Sequence, residues 1–155
     1  MSHWLMKTEP DVFGIHHLEK KGVEHWDGVR NYQARNHMRA MKQGDQVLFY
    51  HSSVQPPGIA GLARVKEAAY PDFTSWDPRS KYFDEKSTPD NPRWSMVDVE
   101  YVETFATFVT LADLRETPGL EDMLVLRRGM RLSVQPVAPA EYRIICKLGR
   151  RRRQS

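Results

Sequence analysis

The sequence predicts an α+β domain built on a curled, mainly antiparallel sheet with peripheral helices. Three observations lead there. Apolar, β-favouring runs outnumber the stretches with helical periodicity, and the two kinds do not alternate regularly, as a doubly wound parallel sheet would require. The 155 residues, 40% hydrophobic and 28% charged, have the balance of an ordinary globule with one core. A chain of this length buries roughly 68–70% of its unfolded surface and needs no staple to fold.

Residues 3–8 read as a short strand stopped by Pro10, and residues 13–20 as a short helix with Gly22 behind it. Asp27-Gly28 is a turn dipeptide. Residues 31–42, closed by Gly44, form the best helix candidate. There Ala34, Met38 and Met41 recur as a buried stripe, and Arg35, Arg39 and Lys42 run beside it as a basic one. Residues 46–51 (QVLFYH) and 59–65 are adjacent strands joined through Pro56-Pro57-Gly58. Residues 71–92 are rich in Pro, Asp, Ser and Thr and should form a long loop, with Phe73, Trp76, Tyr82 and Phe83 embedded in it. Loops of that length usually carry a function or are disordered, and the aromatics favour function. Residues 95–108 alternate and make the longest strand; 111–116 and 120–127 look helical, 131–135 extended, and 140–148 a terminal helix entered at Pro139. The expected organisation is one domain over residues 1–149 and a basic, disordered tail over 150–155.

The formal charge of +3 comes from 23 basic and 20 acidic residues, and Arg150, Arg151, Arg152 and Arg153 supply four of the positives. Without them the balance is 19 to 20, so the tail alone makes the chain basic. It is either a solvated end or a nonspecific nucleic-acid arm. Within the body, residues 28–44 hold no acid, whereas residues 67–103 hold nine acids against four bases. One face then suits phosphate and another repels it.

Several function classes drop out. No apolar run reaches signal-peptide or membrane-spanning length, and the expected location is cytoplasmic, with nucleoid or nuclear association also compatible. Cys146, the single cysteine, excludes a disulfide framework and multi-cysteine metal sites, and it sits in an apolar helix phase as an inert thiol. The six histidines never fall into a zinc-binding spacing, so neither a metal nor a cofactor is expected. Phosphate-cradling glycine loops and a nucleophile elbow are missing as well.

What remains is a set of aromatics beside hydrogen-bonding groups. Trp26 precedes the Asp27-Gly28 turn, Asn31, Tyr32 and Gln33 follow, and Tyr50, His51 and Ser52 end the second hairpin strand. An indole offers a face on which a base can stack for ~1–3 kcal/mol, and amides or hydroxyls beside it can read a base edge. Composition alone favours plain core packing for Trp26 and Tyr50, because large aromatics are mostly structural. Lys7, Glu9, His51 and Asp98 could in principle supply acid and base roles, though nothing in their spacing demands it.

Six blocks decide between these readings by resemblance. They are Trp4-Leu5-Met6-Lys7-Thr8-Glu9-Pro10, the run from Trp26 to Asn36 (WDGVRNYQARN), Phe49-Tyr50-His51-Ser52, Pro57-Gly58-Ile59-Ala60-Gly61, Trp94-Ser95-Met96-Val97-Asp98-Val99 and Arg131-Leu132-Ser133-Val134-Gln135-Pro136. In order and spacing they resemble EVE-domain proteins over nearly the whole chain. The resemblance implies a PUA-like fold, a curled β pseudo-barrel decorated with helices and related to YTH and ASCH domains. It also implies a noncatalytic module that accepts a modified base, with modified cytosine in DNA ahead of RNA, flipped into an aromatic pocket. Carried over by motif, Trp26 is a cage wall, and Asn31 with the amides around Asp27 and Val29 faces the base edge. Lys7, Tyr50, Ser52 and Ser133 are pocket neighbours, and the second wall comes from the long loop, Tyr82 before Trp76. Arg30, Arg35 and Arg39 then meet phosphates, alone or with the arginine tail. An enzyme acting on RNA or modified nucleotides, and an RNA-binding module without modification specificity, are the alternatives.

Overall fold

The structure is a computed structural model and describes residues 1–152. Six strands form one sheet: β1 (His3–Thr8), β2 (Val23–Trp26), β3 (Gln46–His51), β4 (Gly58–Pro71), β5 (Ser95–Thr110) and β6 (Val134–Val137). Their order is β2-β5-β4-β3-β1-β6, with every pairing antiparallel except β1 with β3. Five helices surround it: α1 (Pro10–Phe13), α2 (Ile15–Lys21), α3 (Tyr32–Ala40), α4 (Leu111–Glu116) and α5 (Pro139–Arg150). The α+β class expected from the sequence is the observed one.

The sheet is buried on both faces, which is why β3 reads as an unbroken apolar run. Val47 and Phe49 point into one core with Trp4, Met6, Trp26 and Met38. Leu48 and Tyr50 point into the other, with Leu5, Leu114, Tyr142 and Ile145. Alternation along β1 and β3 therefore splits neighbouring side chains between α1–α3 on one side and α4–α5 on the other. Four register shifts in the long β4–β5 ladder add local twist and curl this hairpin. The edge strands β2 and β6 do not pair with one another, so the sheet is open.

Several boundaries depart from the sequence reading, for local reasons. The expected helix at 13–20 divides at Gly14 into α1 and α2, with His17 Nδ1 accepting from the Gly14 amide at 2.8 Å. Strand β2 was not foreseen: four residues are too few for alternation to register, and its pairing of Trp26 with Val97 is long-range. Residues 120–127 form turns and a 3-10 segment (Leu124–Leu126) rather than an α-helix. The strand expected at 131–135 starts at Val134, and the one expected at 59–65 continues to Pro71. Helix α5 runs through Arg150, whose guanidinium meets Glu103 at 2.6 Å, so the first arginine of the expected tail belongs to that helix. Arg153 and the two residues after it lie outside the described residues.

Close approach of β4 to β5 requires a glycine at position 61, where an added Cβ would lie 2.3 Å from the Glu103 carbonyl oxygen. Gly61→Ala should cost about 1–3 kcal/mol through forced overpacking against backbone. Urea unfolding should show a lower midpoint with an unchanged slope.

Candidate functional site

Strand β2 ends the sheet's edge at Trp26, and the chain then turns away through Asp27 and Gly28, whose φ of 78° suits glycine. Trp26 is 8% exposed, with the rings of Phe13 and Phe49 meeting it edge-on at centroid distances of 6.3 and 5.6 Å. Its remaining surface lines a cleft of about 550 Å³. That volume falls within the range of roughly 300–1,000 Å³ usual for small-ligand sites.

The opposite wall comes from the long connection between β4 and β5. Tyr82 lies across Gly28, so close that a Cβ there would be 2.6 Å from its ring. Asp72 holds this connection in place. Its carboxylate, fully buried, accepts from the Gly28 amide at 2.9 Å, from Arg30 Nη1 at 3.0 Å and from both the amide and hydroxyl of Thr74. Arg30 completes the tie by donating to the Tyr82 carbonyl from Nε and Nη2, to the Val29 carbonyl from Nη1 and to Thr74 Oγ1 from Nη2.

Cations and rings continue outward from there. Lys81 and Arg30 both sit over Tyr82, Arg30 also over Trp94, Trp94 stacks on Tyr32 at 4.7 Å, and Arg35 covers Tyr32. Trp94 is further pinned by its indole N–H to Asp84 Oδ2 at 2.7 Å. Arg35 donates to the Arg93 carbonyl and Arg39 to Ser95 Oγ.

The expected site residues separate into two groups. Lys7, Trp26, Asp27, Val29, Tyr82 and Ser133 line one cleft. Asn31, Tyr50 and Ser52 do not. Asn31 caps α3, its side-chain oxygen accepting from the Ala34 amide, because an Asn at a helix start satisfies an otherwise orphaned N–H. Tyr50 is 3% exposed within the second core, and Ser52 uses its amide on the Thr8 carbonyl. Trp76 does not reach the cleft, so Tyr82 is the loop aromatic that does. Arg30 is corrected from a phosphate ligand to a brace, since all five guanidinium N–H groups already have protein acceptors. Arg35 and Arg39 lie outside the cleft and tie α3 to the start of β5.

Sequence reasoning missed Phe13, Lys21, Glu24, His25 and Lys81, which also line the cleft. They come from α1, α2, β2 and the β4–β5 connection, and only the fold gathers them. Lys21 bonds Glu24, and Glu24 in turn takes His25 at Nδ1, 3.1 Å away. The other His25 nitrogen stands 3.5 Å from Asp27 Oδ2. Burial, followed by the charge of Asp72 behind it, raises the Asp27 carboxyl above its ordinary value. Burial lowers the Lys7 ammonium, which donates to the Met130 carbonyl at 3.2 Å. The four residues considered for acid–base work are dispersed: Lys7 alone lines the cleft, Glu9 is exposed, His51 Nε2 accepts from the Ile15 amide, and Asp98 pairs with Tyr70.

Known proteins resemble this chain in sequence and in fold. The EVE domain family matches residues 2–148. Human thymocyte nuclear protein 1 is 42% identical over 165 residues, covering 95% of this chain and 73% of that protein. The crystal structure of human THYN1 protein in complex with 5-methylcytosine containing DNA superposes with a TM-score of 0.90 at 41% identity, covering 99% of this chain and all of the other. A Pseudomonas putida protein gives a TM-score of 0.92 at 50% identity, over 95% and 99% of the two chains. An ASCH protein of Zymomonas mobilis, 10% identical with a TM-score of 0.55, shares the fold alone.

Two outcomes follow from the carboxylates. Asp72→Ala strands Arg30 and should destabilise the domain by about 3–5 kcal/mol in thermal or urea unfolding. Asp27→Asn should raise the melting temperature at neutral pH. A raised folded-state value means the native state holds its proton longer than the unfolded chain, so stability falls as pH rises through that window. The amide removes that loss, and the difference between variant and parent should shrink on acidification.

Proposed function

The chain belongs to the EVE-domain family, and on that premise we propose that it is a noncatalytic reader of DNA that takes an extruded modified cytosine into the Trp26–Tyr82 cleft. The observation that carries the reading is one cleft in which two aromatic side chains share the lining with Lys7, Asp27 and Ser133. Stacking on such rings is worth ~1–3 kcal/mol per base and is indifferent to sequence. The polar groups then bear on the edge. A base inside a duplex cannot reach side chains in a cleft, so the target nucleotide is flipped, at a cost of a few kcal/mol. The human relative's complex with 5-methylcytosine-containing DNA makes methylated cytosine the first ligand to test.

Phosphate contacts shift from α3 to the segment before β6. Arg127, Arg128 and Arg131 are exposed, and none has an ion-pair partner among the described residues. This segment borders the cleft, because Lys7 bonds the Met130 carbonyl and the Lys7 amide bonds the Ser133 carbonyl. These arginines can therefore flank a nucleotide whose base is in the cleft, adding salt-dependent affinity without sequence preference. Dispersal of Glu9, His51 and Asp98 disfavours the enzymatic alternative. Among the described residues no helix is long and apolar enough to cross a membrane. A reader of DNA would work at the nucleoid or in the nucleus.

Binding of otherwise identical oligonucleotides with cytosine or 5-methylcytosine at one position tests the reading. The methylated strand should bind more tightly, and equal affinities would remove the claim. Tyr82→Leu should lower affinity about 5- to 100-fold for both. Its backbone carbonyl, which the substitution keeps, accepts two hydrogen bonds from Arg30, so the loop stays anchored. Replacing Arg127, Arg128 and Arg131 by Gln should reduce the salt slope by roughly 0.9 for each phosphate of duplex DNA that is no longer neutralised, and leave the methyl preference intact. A module that binds RNA by shape alone would instead be insensitive to Tyr82→Leu.

A further inference from the structure

A pocket that recognises only a 5-methyl group has a chemical problem. Thymine carries the same methyl at the same ring position, so shape and stacking cannot separate it from 5-methylcytosine. The two bases differ at the exocyclic position, where cytosine has an amino donor and thymine a carbonyl acceptor. Rejecting thymine therefore requires a hydrogen-bond acceptor in the cleft.

Three carboxylates stand at or behind the cleft, and they are not equally available. Asp72 already accepts four hydrogen bonds and is fully buried. Glu24 accepts from Lys21 at one oxygen and from His25 at the other. Asp27 has one ion-pair neighbour among the described residues, the His25 ring at 3.5 Å, beyond a good hydrogen bond. Its side chain is 29% exposed, it lines the cleft, and it follows the Trp26 indole directly in the chain. An amino group entering beside Trp26 thus meets one carboxylate with capacity to spare.

We infer that Asp27 is the specificity-determining residue of the cleft, its carboxylate accepting the exocyclic amino group of cytosine and repelling the carbonyl of thymine or uracil. His25, with Glu24 on its far nitrogen, limits where the carboxylate can swing. This inference rests on the reading of the cleft as a base pocket, and the two make separate demands. Methyl recognition belongs to the apolar wall; amino recognition belongs to Asp27.

A square of four bases separates them. DNA carrying cytosine, 5-methylcytosine, uracil or thymine opposite an abasic site equalises the cost of extrusion. Comparing methylated with unmethylated bases reads the aromatic wall, and comparing amino with carbonyl bases reads Asp27. Wild type should favour cytosine over uracil, and 5-methylcytosine over thymine, by about 5- to 100-fold, the range of one good polar contact to a base edge. Asp27→Asn, whose amide offers both a donor and an acceptor, should bring both ratios to within about twofold while the methyl preference survives. Undiminished rejection of uracil and thymine by Asp27→Asn would overturn the inference and leave the reader standing. So would a wild-type protein that prefers methylated bases yet binds amino and carbonyl bases alike. Loss of the methyl preference with the amino preference kept would overturn the reading of the modification instead. Melting temperatures of parent and variant establish that both are folded.

Discussion

A single buried carboxylate makes the cleft possible. Asp72 leaves the end of β4 and accepts from the Gly28 amide, from Arg30 and from Thr74, so that one group joins the β2–α3 corner to the connection that runs back to β5. The corner contributes Trp26, Asp27 and Val29; the connection contributes Lys81 and Tyr82. Neither is wall enough alone. A fully buried acid is tolerated because its lone pairs are matched and a guanidinium lies alongside, whereas an unmatched one would cost several kcal/mol. Gly28 belongs to the same constraint, since its positive φ presents the amide to Asp72 and its missing side chain admits the Tyr82 ring.

That arrangement divides the arginines by job. A run of positive residues with no acid nearby reads in sequence as a phosphate-binding stripe, yet Arg30, Arg35 and Arg39 turn toward the acidic connection and tie it down. Of the charge asymmetry between residues 28–44 and 67–103, Arg30 with Asp72 is the ion pair found among the described residues, while Arg35 and Arg39 bond a carbonyl and a hydroxyl. Guanidinium suits this use better than ammonium, because its planar fork bonds several carbonyls while its faces stack between Tyr82 and Trp94. Cations left for a polyanion beside the cleft are the exposed ones with no ion-pair partner among the described residues and no bracing bond, notably Arg127, Arg128 and Arg131.

Legibility followed the range of the interactions involved. Strands with clear alternation or continuous apolar runs, β1, β3, β4 and β5, were visible in the sequence because burial on one or both faces is written residue by residue. Helix α3 was visible through its stripe of Ala34 and Met38, whereas Asn31, expected at the base edge, caps that helix instead. Strand β2 was not, because four residues pair with β5 more than seventy positions away. The site divided similarly. The Trp26 block and Tyr82 were readable, one by resemblance and the other as an aromatic stranded in a polar loop. Lys21, Glu24 and His25 were not, since a charged surface residue looks the same whether or not a cleft opens beside it. Tyr50 shows the converse limit: it belongs to a block that resembles the family's, but strand alternation turns it into the opposite core.

The size of each contribution fixes what a reader built this way can do. Burying one methyl is worth about 0.8 kcal/mol, about a fourfold preference unless packing against the ring adds to it. Extrusion costs a few kcal/mol before any discrimination begins, so the bulk of the favourable free energy has to come from stacking and phosphate contacts, which every base and every sequence supplies equally. On the proposed reading, unmodified DNA would therefore be sampled constantly, and the modification would act by lengthening residence rather than by permitting entry. A polar contact at the exocyclic position is worth more than the methyl and repels as well as attracts. In such a site the acid beside the indole carries the larger share of specificity, and the methyl only ranks the cytosines that pass.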